Sequence, residues 1–213
     1  MSVLSRLKTP VFNAERYRPK DEKNPETGFS LRVDGLVRNP RVLTLQEIKE
    51  MPLSQADTRL TSVSGFSVRA LWEGLSWEDF LRNFELEEAA SHVTFYGAAG
   101  ERTVYTTTVS LEDLAKPRVL LVYSIEGEPL EWEYGGPLRL LVPHLWGYKS
   151  CKWLARVEFT DRMRGGFWED RGYPREAEIE PGWTLDINSR TRRRIGGGEV
   201  TELFGSPFPA FAT

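Results

Sequence analysis

The sequence predicts an α+β fold, a single mixed and β-rich domain. Three short segments carry helix-start chemistry, and the stretches between them alternate apolar and polar residues at strand period. The order of strands and helices is irregular, which favours an α+β domain over a regularly wound βαβ one. The 213 residues suit one domain with a sizeable core.

Residues 1–27 have scattered apolar side chains, prolines at 10, 19 and 25, and mixed charge, and are expected to form an extended arm on the domain. Residues 28–173 are expected to form the domain proper. Phe29, Leu31 and Val33 alternate with Ser30 and Arg32, a half-exposed strand that ends at the Asp34-Gly35 turn. Thr44-Leu45-Gln46-Glu47 is a capping box: the hydroxyl caps the Glu47 amide while the carboxylate reaches back. Leu45 and Ile48 then face the core, and Pro52 stops the helix. The same device recurs at Ser76 to Asp79 and at Ser110 to Asp113.

Arg59 to Val68 is rich in hydroxyls and interrupted by Gly65, which reads as a strand end and turn. His92 to Tyr96 is a strand with Val93 and Phe95 on one side. Gly97 to Gly100 turns it, and Thr103 to Val109 returns. Val119 to Ile125 is almost wholly apolar, as a central strand must be. Glu126 to Pro129 is a surface turn. Leu138, Leu140 and Val142 alternate with Arg139 and Leu141 in a mostly buried strand ended by Pro143. Trp153 to Phe159 is a further strand with Leu154 and Val157 inward. Residues 174–213 are expected to form a tail packed on the domain or flexible beside it, in which the basic run Arg190 to Arg194, beside three glycines, is solvated and mobile or else binds a partner.

Lys and Arg number 28 against 31 acidic residues, a formal charge of −3, so no global basic bias points to nucleic acid. One cysteine excludes an intramolecular disulfide framework and suits a reducing compartment. The start of the chain has no apolar signal core, and no apolar run is long enough to span a bilayer. A soluble cytoplasmic protein is the expectation. Phosphate-binding G-x-x-x-x-G-K-[ST], dinucleotide G-x-G-x-x-G and hydrolase G-x-S-x-G patterns are absent. Two histidines and one cysteine, widely spread, do not make a zinc site.

The chemistry gathers in Gly135 to Leu154, GGPLRLLVPHLWGYKSCKWL. Arg139, Lys149, Ser150 and Lys152 fall at the ends of two buried strands, where a cation needs an anion to face. His144 either hydrogen-bonds a ligand or is a satisfied loop histidine. Cys151, between two members of the group, reads as small buried packing.

This segment resembles the pterin-phosphate segment of the sulfite-oxidase-like molybdopterin oxidoreductases, and the resemblance continues in GFSLRVDGLVRNP, YTTTVSLEDL and GFWEDRGY. It covers roughly Gly28 to Tyr173 and implies the molybdopterin-binding fold of that family. It also implies a molybdopterin cofactor with molybdenum, bound by Arg139, His144, Lys149, Ser150 and Lys152, with Tyr105, Thr106 and Phe66 bordering it. A small-molecule substrate, an external electron-transfer partner, no nucleic acid or membrane, and a monomer are the corresponding expectations. In the family a cysteine thiolate in a Cys-Val-x-x-Trp-Ser frame ligates molybdenum. Here the frame reads Ser62-Val63-Ser64-Gly65-Phe66-Ser67, which makes Ser62 the metal-ligand candidate. A hydroxyl is a far weaker acid than a thiol and a harder ligand. The alternatives are therefore an active oxidoreductase, a redox-inactive pterin- or anion-binding homologue, and a structural protein with an empty cleft. Gly65 stands where many relatives carry a basic residue, so the expected chemistry is oxygen-atom transfer on a neutral S- or N-oxide rather than sulfite oxidation.

Overall fold

The computed structural model describes residues 28–63, 67–97, 105–186 and 190–195. The predicted arm of residues 1–27, the 98–100 turn, the start of the Thr103 strand, Phe66 and the Gly196 to Gly198 run lie outside these residues. The α+β reading holds: two five-stranded sheets, a two-stranded hairpin and three short α-helices make up the described chain.

The first sheet has the order β2-β1-β10-β5-β6. Its strands are β1 (Ser30–Gly35), β2 (Arg41–Thr44), β10 (Leu154–Thr160), β5 (His92–Gly97) and β6 (Tyr105–Ser110). Only β1 and β10 run parallel in it, with Val33 opposite Val157. The alternation in the sequence sets which face is inward: Leu31, Val33, Val93, Phe95, Leu154 and Val157 are all fully buried. Gly35 ends β1 at φ +86, and a β-carbon there would lie 2.2 Å from the Phe159 carbonyl oxygen, so both its conformation and its contact exclude a side chain.

The second sheet contains β3 (Leu53–Thr61), β4 (Ser67–Ser76), β7 (Leu120–Ile125) and β8 (Glu128–Pro129), with β9 (Arg139–Leu141) also on β7. Its middle is buried on both faces. Leu121 and Leu140 join the large core shared with the first sheet, whereas Leu120, Val122 and Leu141 join a second cluster around Trp72. That two-sided burial is why β7 reads as a continuous apolar run. The Leu138 to Val142 strand is shorter than its alternation suggests, because hydrogen bonding to β7 is confined to three residues.

The helices are α1 (Leu45–Lys49), α2 (Trp77–Leu81) and α3 (Leu111–Leu114). Thr44 makes the complete capping box with Glu47. Ser76 and Ser110 accept from the Asp79 and Asp113 amides, and each hydroxyl donates to the same aspartate. Leu45, Ile48, Trp77, Phe80 and Leu114 bring these short helices onto the core. No helix among the described residues is long and apolar enough to cross a membrane.

The described part of the tail contains a hairpin that the sequence did not indicate. Gly182–Asp186 (β11) and Thr191–Ile195 (β12) pair antiparallel, so the basic run forms a strand, with Arg192 and Arg194 exposed on it. Its anchors are Asp186 and Ile195, both buried, while most of the residues between them face outward.

Candidate functional site

The segment from Gly135 to Trp153 folds back on itself after β9. Leu140 N–H donates to the Cys151 carbonyl and Leu154 N–H to the Leu138 carbonyl, which brings Arg139 beside Ser150 to Lys152. A 3-10 turn, Gly147–Lys149, forms the bend, and Gly147 packs close to the Thr61 carbonyl at the end of β3. Ser62 follows Thr61 directly, so the predicted metal-ligand position borders the bend that carries the basic group. It is partly buried.

Arg139 is 2% exposed. Its guanidinium donates to the Tyr134 carbonyl at 2.7 Å and the Ser150 carbonyl at 3.3 Å, and lies 5.4 Å from the Trp72 ring centre. Burial draws its pKa down to about 10. Lys152 donates to the Glu133 carbonyl at 3.1 Å, and its stem packs against Gly135. Burial, reinforced by the Arg139 charge, pulls the Lys152 ammonium down to about 7. Neither cation has a carboxylate within ion-pair distance among the described residues. Ser150 is buried, and its oxygen accepts from the Val142 amide at 3.0 Å, which leaves its hydroxyl proton to donate.

Lys149 behaves differently. It is fully buried, but its ammonium donates to the Glu169 carboxylate and to the Thr108 carbonyl, both at 2.8 Å. The anion that Lys149 faces is thus supplied by the chain itself, Glu169. Thr107 donates to the same Glu169 oxygen at 2.6 Å, while the other oxygen, Oε2, is buried with no partner among the described residues. Glu169 was not singled out from the sequence. The signal was indirect: a lysine in a buried segment requires a carboxylate, but nothing local says which.

Tyr105 and Thr106 begin β6, beside the bend. The Tyr105 hydroxyl donates to the Tyr148 carbonyl, and burial, then the Glu169 charge, holds its pKa well above the usual phenol range. The Thr106 carbonyl accepts from Phe167 N–H at 2.8 Å. Gly166 is required there, since a β-carbon would lie 2.3 Å from the Thr106 carbonyl oxygen. The GFWEDRGY loop is thus clamped onto β6, and Trp168 and Tyr173 pack behind Tyr148. His144 sits with Nε2 3.3 Å from Asp113, whose pKa is held far down: burial opposes this, but hydrogen bonds from His144, Lys116 and Ser110 prevail. Its Nδ1 is buried and has no partner among the described residues, which favours the ligand-binding alternative for this residue. Cys151 is fully buried and burial raises its thiol pKa, consistent with a packing role.

The family model described as "Oxidoreductase molybdopterin binding domain" matches residues 18–168. The chain is 35% identical over 148 residues to the uncharacterized oxidoreductase YuiH of Bacillus subtilis, covering 69% of this chain and 73% of that protein. It is 33% identical over 162 residues to the putative protein-methionine-sulfoxide reductase subunit YedZ1 of Azospira oryzae, covering 76% and 60% of the two. It is 27% identical over 189 residues to the protein-methionine-sulfoxide reductase catalytic subunit MsrP of Ralstonia nicotianae, covering 79% of this chain and 56% of that one. Among solved structures, the sulfane dehydrogenase SoxCD of Paracoccus pantotrophus shares the fold, with a TM-score of 0.62 at 18% identity over 81% of this chain and 46% of that one. The chain therefore spans little more than half the length of several of these relatives. With most of its length matched by the family model, and its basic bend and aromatic loop folded together as described, this chain belongs to the oxidoreductase molybdopterin-binding domain family, the sulfite-oxidase-like molybdopterin oxidoreductases.

Proposed function

We propose that this protein reduces a small neutral S- or N-oxide, a sulfoxide in first place, using a molybdopterin held by the bend between β9 and β10. The observation that carries the reading is the neighbouring pair of Arg139, which is buried, and Lys152, which is partly buried: both have backbone carbonyls for partners and no carboxylate among the described residues. Two neighbouring like charges drawn out of bulk water are costly unless an anion joins them. A pterin phosphate has the charge and size to do so, and the Ser150 hydroxyl adds a donor of the right kind. The residues fit the group.

Arg139 and Lys152 would bind the phosphate, and Ser150 would donate to it. The open Nδ1 of His144 would hold a polar edge of the pterin, with Asp113 fixing the ring from its other side. Tyr105, with its raised pKa, keeps its proton and its bond to the Tyr148 carbonyl throughout the neutral range, which ties β6 to the bend. When bound, the cofactor supplies two-electron chemistry, in which a sulfoxide plus two electrons and two protons gives a sulfide plus water. Electrons come from an external one-electron carrier, used twice. The support for a sulfoxide is the run of methionine-sulfoxide reductases among the relatives, together with the uncharged side chains of the Ser62 frame.

The test is a reduced-viologen assay with methionine sulfoxide and an aromatic N-oxide, set against ferricyanide with sulfite, on metal-loaded protein. Turnover of the oxides without sulfite oxidation is expected, and strong sulfite oxidation would overturn the substrate proposal. A second reading, a redox-inactive pterin-binding homologue, is favoured by one observation, the serine at the thiolate position. Ser62→Cys separates the two. If the hydroxyl is a poor ligand, molybdenum per mole of protein rises several-fold in the variant while bound pterin is unchanged. Equal metal contents in the two proteins would remove the basis of the second reading.

A further inference from the structure

We infer that the outer face of the β11–β12 hairpin is the docking surface for an acidic one-electron carrier protein. This rests on the oxidoreductase reading above and names where its electrons enter. In the antiparallel register Trp183 lies opposite Arg194, and Leu185 opposite Arg192, so the four side chains share one face. All four are exposed, Trp183 at 71% and Leu185 at 49%. None of them makes an ion pair or ring contact among the described residues. A large aromatic left this open beside two arginines has the composition of an interface centre rather than of ordinary surface.

The other side of the hairpin is attached to the site. Asp186 accepts a hydrogen bond from the Tyr173 hydroxyl at 3.3 Å, and Ile195 belongs to the main core. Tyr173 in turn stacks on Tyr148 with ring centres 5.1 Å apart, and Tyr148 belongs to the bend carrying the basic group. A carrier seated on the outer face is therefore separated from the basic bend by the hairpin and the Tyr173–Tyr148 stack.

Charge selects the kind of partner. The exposed Glu176, Glu178 and Glu180 precede the hairpin, and the whole chain carries a net charge of −3. An extended polyanion such as nucleic acid, or an anionic membrane plane, would approach a chain of negative net charge through a positive spot only two arginines wide. A second copy docking hairpin to hairpin would oppose arginine to arginine. A compact acidic patch around an apolar centre, as on a small iron–sulfur or flavin carrier, matches both the positive spot and its limited size.

The test measures binding and electron delivery separately. The probe is a plant-type [2Fe–2S] ferredoxin, which is acidic, with basic cytochrome c, a short DNA duplex and phosphatidylserine vesicles as counter-probes. Calorimetric binding of ferredoxin is expected, weakening as salt is raised, and Arg192→Glu/Arg194→Glu is expected to weaken it by about tenfold or more. Trp183→Ser weakens it with a smaller salt effect. Melting temperature and viologen-driven turnover should be unchanged in these variants, because the residues are exposed and remote from the basic bend in sequence. Absence of ferredoxin binding at low salt overturns the proposal. So does equal binding by the reversed variant, or tighter binding of cytochrome c, DNA or vesicles. Loss of viologen-driven turnover in the wild type counts against the oxidoreductase reading alone, while charge-reversible ferredoxin binding supports the docking face.

Discussion

Glu169→Gln is expected to cost about 3–5 kcal/mol of stability, the penalty for leaving a buried charge without its partner. Lys149 and Glu169 are both wholly shielded from solvent at the side chain and 2.8 Å apart. Burial already lowers the Lys149 pKa, and the Glu169 charge opposes that shift. Without Glu169 the folded-state pKa of Lys149 falls further below its unfolded value. The unfolded chain then binds more protons in the window between the two, so the variant regains stability as pH rises toward the ordinary lysine range. Urea unfolding at neutral and alkaline pH checks both parts. A loss of this size is a large share of the 5–15 kcal/mol typical of a domain. The double variant Lys149→Met/Glu169→Leu should recover most of it, since a packed apolar pair replaces both charges. A deficit that is independent of pH, or that persists in the double variant, would assign Glu169 a packing role instead. Bound pterin should fall in Glu169→Gln as well, because the pair ties the basic bend to the GFWEDRGY loop.

What the sequence disclosed, and what it did not, follows the range of the interactions. Thr44, Ser76 and Ser110 could be read as helix starts because a cap is settled within four residues. Leu31, Val33, Val93 and Phe95 could be assigned to a core face because strand alternation is local too. The bend from Arg139 to Lys152 could be singled out as a candidate because its cations lie close in sequence. Glu169 was not, since its link to Lys149 crosses 20 residues and any of 31 acidic side chains could have served. Asp113 was read only as part of a helix start, although it also supports His144 from 31 residues away. The β12 strand was missed for a different reason. Its arginines follow no apolar alternation, and Trp183 and Leu185 on the facing strand point away from the core, the reverse of the usual pattern.

Arg139→Met is expected to weaken binding of a dianion by about 2–5 kcal/mol while leaving the stability of the ligand-free protein nearly unchanged. The two effects diverge because the guanidinium is buried without a carboxylate. Removing it forfeits its bonds to the Tyr134 and Ser150 carbonyls but also ends a desolvation penalty and its repulsion of Lys152. The neighbouring lysine supplies an independent readout. With a folded-state pKa of about 7, Lys152 costs the ligand-free fold stability in full below pH 7, and the cost fades as pH rises toward the unfolded value. A bound dianion favours the charged ammonium, so binding takes up a proton above pH 7. Sulfate, which stays doubly charged across this range, is the suitable probe. Its affinity for wild-type protein should fall by up to about tenfold per pH unit above 7, the limit for one linked proton. In Arg139→Met one of the two causes of the low Lys152 pKa is gone, so this fall should begin at a higher pH. Calorimetric titration of sulfate in buffers of different ionisation enthalpy measures both the affinity and the proton uptake. A wild-type affinity flat from pH 6 to 9, or the same onset in both proteins, would separate Arg139 and Lys152 into unconnected structural cations. An onset that shifts upward in the variant, together with the lower sulfate affinity, would mark them as two halves of one anion site: the shift shows that the two charges are coupled, and the affinity loss beside proton uptake at Lys152 shows that both act on the same anion.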